Sequence, residues 1–153
     1  MINWLAMAAM TRVLVPFDGS ESARRSLGRL ALLSTSLAKF QALLLNVQPP
    51  PPPKEFFLDG RLSHVHELQA PLRAAGETLL GEARQVLEGA GISCEAHVEF
   101  GEPAPVIAQF AERYHCDVIA MGTRGMGLVP NLLLGSVATK VLHLAAMPVL
   151  LTR

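Results

Sequence analysis

The sequence predicts a three-layer α/β domain, a parallel sheet with helices on both faces. Three observations predict it. Short apolar runs alternate with stretches of helical periodicity in the order βαβαβαβαβ. Most of these runs are apolar at successive positions, as expected of parallel strands buried on both faces. A segment carrying several glycines, residues 122–136, follows the fourth run. Sheets of this kind bind ligands beyond the carboxyl ends of their strands, where the strand order reverses.

Each element has its own signal. Residues 12–17 read as a buried strand ending at Asp18-Gly19-Ser20, with Ser20 placed to cap the following helix. Ala23, Leu27, Leu30, Ala31 and Leu37 recur at helical spacing. Residues 41–47 form a second buried strand. Five prolines, 49–53, suit neither a sheet nor a helix interior and predict an extended surface loop. Phe56, Phe57 and Leu58 follow it, either packed on the core or part of a lid. A helix is expected over 72–87, with Pro71 near its start and Gly89 and Gly91 ending it. Residues 92–100 alternate, placing Ile92, Cys94, Ala96, Val98 and Phe100 on one face of a half-buried strand. Pro103 and Pro105 open a short helix, residues 117–121 form the fourth strand, and a helix runs through Leu144. Pro148 stops that helix, and Val149–Thr152 is the last strand, at an open edge with little charge to protect it.

Composition narrows the function classes. The 153 residues suit one domain, and a hydrophobic content of 50% is ample for its core. Thirteen basic and thirteen acidic residues cancel, which suggests no nucleic-acid partner. No run approaches the roughly 18 apolar residues of a membrane helix, so no membrane insertion is expected. Cys94 and Cys116 lack the spacing of a metal or redox pair and read as buried reduced thiols. Those thiols, and the lack of a basic start before the apolar residues 1–10, point to a cytoplasmic protein. Residues 1–10 are expected to be a variable leader, since Met7 and Met10 are further candidate starts, and 11–153 a single domain.

The chemistry concentrates after the fourth strand. The spacing there is Gly122-x2-Gly125-x9-Gly135-Ser136. Glycines let a backbone approach a ligand closely, and a helix start offers free amides and a favourable dipole to an anion. Turn-forming glycines are the plain alternative. With 12 glycines in the chain, this spacing before Ser or Thr arises by chance about once in a hundred sequences or fewer.

That spacing resembles the ATP-binding signature of the universal stress protein family. Residues 13–20 (Val-Leu-Val-Pro-Phe-Asp-Gly-Ser) are similar to the family's first strand and turn, and residues 117–125 to its fourth strand and loop. Residues 132–137 and 148–151 are similar to its last helix and strand, so the resemblance spans 11–153. It implies a Rossmann-like fold of the adenine nucleotide alpha hydrolase type, with five parallel strands in the order 3-2-1-4-5, and a homodimer. It also implies a nucleotide site. Pro16, Phe17 and Asp18 would line the nucleoside pocket, Val47 would touch adenine, and Met121 and Gly122 would flank base or ribose. Gly125, Gly135, Ser136 and Val137 would receive phosphates, with Thr123 and Arg124 in the same nucleotide-binding set. Asp18 could bond ribose hydroxyls or reach Mg²⁺.

Some features depart from that pattern. Residues 126–134 contain no Lys or Arg, which leaves Arg124 and Lys140 as the nearest cations. There is neither a P-loop GxxxxGK[ST] nor a GxSxG elbow. His64 and His66 would diverge on a helix, while His97, His115 and His143 are isolated and suggest no role. Glu99, Glu102 and Glu112 are expected to face solvent. The leading expectation is therefore a stress-response binding protein for ATP with Mg²⁺, dimeric through Val149–Thr152. A slow ATPase using Asp18 comes second, because no dedicated general base is visible. A nucleotide-independent dimeric interaction protein comes third.

Overall fold

The computed structural model describes residues 12–36, 39–50, 63–123 and 134–152, with the backbone alone over 63–68. Expectations for residues 1–10, 37, 51–53, 56–58 and 124–133, the last including Arg124 and Gly125, lie outside the described residues. The elements are β1 (Arg12–Pro16), α1 (Glu21–Leu33), β2 (Gln41–Gln48), α2 (Ser63–Gly89), β3 (Ser93–Phe100), α3 (Pro103–Arg113), β4 (Val118–Gly122), α4 (Ser136–Leu144) and β5 (Val149–Thr152). All four strand pairings are parallel, and the sheet order is β3-β2-β1-β4-β5, as expected. The chain moves outward from β1 through β2 to β3, then returns to β4 on the other side of β1. The reversal opens a crevice at the carboxyl ends of β1 and β4.

Alternation along each strand divides the core between the two faces of the sheet. Val13, Val15, Ala42, Leu44, Val118 and Ala120 are buried against Ala23, Leu27 and Leu30 of α1 and Leu80, Ala83 and Leu87 of α2. Leu14, Leu43, Leu45, Ile119 and Met121 are buried on the other face against Ile107, Phe110 and Ala111 of α3 and Ala138 and Val141 of α4. Ile92, Cys94, Ala96 and Val98 share the α1/α2 face, as their alternation predicts. Both cysteines are free. Burial pushes the Cys94 thiol up to about 11, reinforced by the Glu88 carboxylate, and also raises that of Cys116. Neither thiol supplies a thiolate at neutral pH.

Two expectations about the elements need correction. Helix α2 starts at Ser63, not Leu72, so Pro71 lies inside it rather than at its start. Ala70 and Pro71 are exposed. His97 is not isolated. Its ring lies 5.0 Å from those of Phe110 and Tyr114, and its Nε2 is 2.8 Å from Oε1 of Glu95. It forms part of the packing of β3 on α3.

The capping prediction holds in detail. Ser20 is extended (φ −65°, ψ 157°), and its Oγ accepts from the Ala23 amide at 3.1 Å. Ser20→Ala should cost about 1 kcal/mol of folding stability, the usual value of such a cap, measured by urea denaturation. No change in the unfolding midpoint would show that the cap is dispensable.

Candidate functional site

The first wall of the site is the exit from β1. The Phe17 amide donates to the Leu45 carbonyl at 2.8 Å, extending the β1–β2 pairing beyond Pro16. The Phe17 carbonyl accepts from Nδ2 of Asn46 at 2.9 Å, and Asn46 Oδ1 accepts from Nε2 of Gln48 at 2.6 Å. Asn46 is only 3% exposed, so these bonds satisfy a polar side chain held in the core. The chain then turns through Gly19, whose φ of 75° favours glycine. The Ser20 amide closes the turn by donating to Oδ1 of Asp18 at 2.9 Å. Arg24 braces it from outside, donating to the Gly19 carbonyl and, at 2.9 Å, to Oε2 of Glu82. Asp18 is thereby fixed with its side chain exposed at the rim.

The second wall is the exit from β4. The Thr123 amide donates to the Thr152 carbonyl at 3.0 Å, and the Thr123 carbonyl accepts from the Gly135 amide at 2.7 Å. This second bond brings the start of α4 back to the end of β4. Gly135 is the N-cap of α4, in extended geometry (φ −71°, ψ 161°) with no side-chain cap bond. The amides of Ser136, Val137 and Ala138, the first three of the helix, have no carbonyl partner within it.

These walls enclose one cleft. Of the residues expected from sequence, Pro16, Phe17, Asp18, Val47, Met121, Gly122 and Val137 line it together. Ala23, Leu45, Pro103, Ile107 and Ala138 complete the lining, and all five were missed in the sequence. The cleft encloses about 100 Å³ among the described residues. Its walls are largely apolar, and among the described residues Asp18 is the only charged one in the lining. Such a cleft suits a flat apolar ring, with polar groups directed to the rim. Thr123 is buried, and Gly135 and Ser136 lie beside the cleft rather than in its lining.

The signature glycines act differently from the sequence expectation. Gly122 has neither a positive φ nor a ligand-facing gap among the described residues. A Cβ there would lie 2.6 Å from the Oγ of Ser22 and 2.9 Å from its carbonyl oxygen. The missing side chain lets α1 close on the end of β4. Gly135 spends its amide on Thr123, so it does not offer that N–H to a phosphate. Lys140, the cation expected nearby, is paired, its Nζ lying 2.6 Å from Oε1 of Glu102. Glu102 is therefore not simply a solvent-facing carboxylate. Asn46, the buried support of the first wall, had one visible signal: an amide within the apolar run Leu43-Leu44-Leu45-Asn46-Val47. Among the described residues, no three His, Cys, Asp or Glu side chains are grouped to hold a metal, and no helix is long and apolar enough to cross a membrane.

The universal stress protein family matches residues 10–153, nearly the whole chain. The chain belongs to the universal stress protein family. It is 33% identical to the universal stress protein in the QAH/OAS sulfhydrylase 3′ region of Thermus aquaticus, over 92% of this chain and 97% of that protein. Among solved structures, it is similar to hypothetical protein MJ0577, with a TM-score of 0.80 and 26% identity over 94% of this chain and 95% of the other. It is also similar to a universal stress protein solved in complex with cAMP, with a TM-score of 0.65 and 25% identity over 95% and 98%. The Rossmann-like architecture expected from the sequence is the fold these structures share.

Gly122→Ala tests the packing role of that glycine. The Cβ would meet backbone as well as a side chain, so the variant should lose about 1–3 kcal/mol of stability, read from the denaturation midpoint. Full stability would return Gly122 to a purely ligand-facing role.

Proposed function

We propose that this chain is an adenine-nucleotide-binding member of its family, holding ATP with Mg²⁺ and acting as a nucleotide-responsive binding protein. The observation that carries this is the convergence, at the sheet's switch point, of an apolar cleft with the open amides of α4. Adenine fits the slot between Val47 and Met121, with Ile107 on the α3 side. Ribose lies toward Pro16, Phe17 and Asp18. The phosphates point to the amides of Ser136 and Val137, where the helix dipole favours negative charge. Arg124, Gly125 and Gly135 belong to the same phosphate segment by their place in the signature. The similar protein solved with cAMP supports an adenine nucleotide as ligand.

Asp18 fits a role toward Mg²⁺. It is exposed at the rim, and among the described residues its carboxylate is bonded through Oδ1 alone, to the Ser20 amide. Mg²⁺ in such sites takes one or two carboxylates plus substrate phosphates and water. The ion would neutralise phosphate charge that no lining Lys or Arg offsets. Among the described residues Asp18 is also the only carboxylate lining the cleft, and its turn holds it, so binding is favoured over rapid hydrolysis.

Calorimetric titration with ATP should show binding that is stronger with Mg²⁺ than without. Asp18→Asn should erase most of the Mg²⁺ effect while keeping metal-free binding. No heat of binding at millimolar ATP would sink the proposal, and phosphate release matching turnover would favour the ATPase reading.

The dimer proposal rests on β5. It is an edge strand, Leu150 is 40% exposed, and Leu142 and Leu144 of the adjoining α4 are exposed as well. Pairing Val149–Thr152 with a symmetry mate would cover that edge. Light scattering at micromolar concentration should give twice the chain mass, and Leu150→Lys should give one. A monomeric unaltered chain would exclude this arrangement.

A further inference from the structure

Lys140 and Glu102 are 38 residues apart, yet Lys140 Nζ donates to Glu102 Oε1 at 2.6 Å. Each stands beside a residue that lines the cleft, Glu102 next to Pro103 and Lys140 about one turn after Val137. Glu102 occupies the N-cap position of α3 and precedes Pro103, a lining residue. Its carboxylate makes no cap bond to its own helix and reaches across to α4 instead. Lys140 is one turn after Ser136 and the only Lys or Arg in α4. Helical side chains lean toward the N-terminus of their helix, so Lys140 leans toward the open amides of Ser136 and Val137. Among the described residues, the cleft lining contains no Lys or Arg.

We propose that the Glu102–Lys140 pair sets the preference of the site for phosphate-chain length. This inference rests on the nucleotide reading above and adds the residues that discriminate among adenine nucleotides. A monophosphate is satisfied by the first-turn amides of α4 and leaves the pair closed. A longer chain carries its terminal phosphates past those amides toward the rim. There it meets a carboxylate that repels it and an ammonium that attracts it. Lys140 exchanges Glu102 for the terminal phosphate, and Glu102 turns to water. Both side chains are 59% exposed, so the exchange needs no rearrangement of the core. An exposed pair of this kind contributes little to folding, so variants at either position should remain folded.

The test is the ratio of ATP to AMP affinity, measured by calorimetry on the full chain without divalent metal and at fixed ionic strength. Glu102→Gln frees Lys140 and removes the repelling charge, and should raise that ratio about five-fold. Lys140→Met removes the attracting charge and should lower it by about the same factor. Thermal unfolding of both variants checks that they are folded, and a merely structural pair would move both affinities together and leave the ratio unchanged. An unchanged ratio in both variants, with ATP and AMP still bound, would overturn the role of the pair and leave the nucleotide site standing. Absence of binding of either nucleotide to the unaltered chain would overturn the site and the pair alike.

Discussion

A parallel strand at the centre of a sheet has to be taken out of water on both faces, and β1 imposes that condition here. Val13 and Val15 are buried on one side, Leu14 on the other. Helices are therefore needed above and below, and the chain must cross over to reach each neighbouring strand. Because β2 and β4 lie on opposite sides of β1, the segments leaving β1 and β4 diverge at their carboxyl ends. The cleft occupies that divergence. Its apolar lining continues the core, since Leu45, Ile107, Met121 and Ala138 belong both to the α3/α4 face and to the cleft wall.

The amino-acid sequence revealed what is local or periodic. The unbroken apolar runs of β1, β2 and β4 marked both-face burial, and the alternation of β3 marked a strand with one core face. Ser20 was readable as a cap because its acceptor and its partner amide are three residues apart. Of the signature glycines, Gly122 lies in the cleft lining and Gly135 at the N-cap of α4. Their physical roles were not legible, because each depends on a distant partner. Gly122 is small on account of Ser22, a hundred residues earlier in the chain. The Gly135 amide is engaged by a carbonyl twelve residues back, across the loop. The Glu102–Lys140 pair and the Asn46–Phe17 bond are likewise tertiary, and no periodicity announces them.

The electrostatics of the site fit its composition. Two helix N-termini, those of α3 and α4, meet at the same rim. That of α4 presents the open amides of Ser136, Val137 and Ala138, whereas Pro103 and Pro105 leave α3 only that of Ala104. Glu102 already occupies the neighbourhood of one. The other, at Ser136, has no acidic residue in its first turn. An anionic ligand is thereby directed to α4, and the shortage of basic side chains is consistent with attraction by backbone dipoles.

The contact of Gly122 with Ser22 has one more consequence. It joins the strand exit that forms one wall to the helix that starts at the other. The Asp18–Ser20 turn leads directly into α1, and Ser22 of α1 packs straight onto Gly122 at the end of β4. The two walls thus behave as one rigid jaw, held further by Asn46 behind Phe17. A ligand entering such a cleft spends little of its binding free energy on ordering these walls. Any conformational response to occupancy must then arise on the opposite side, where α3 and α4 pack together and the exposed Glu102–Lys140 pair joins them at the surface.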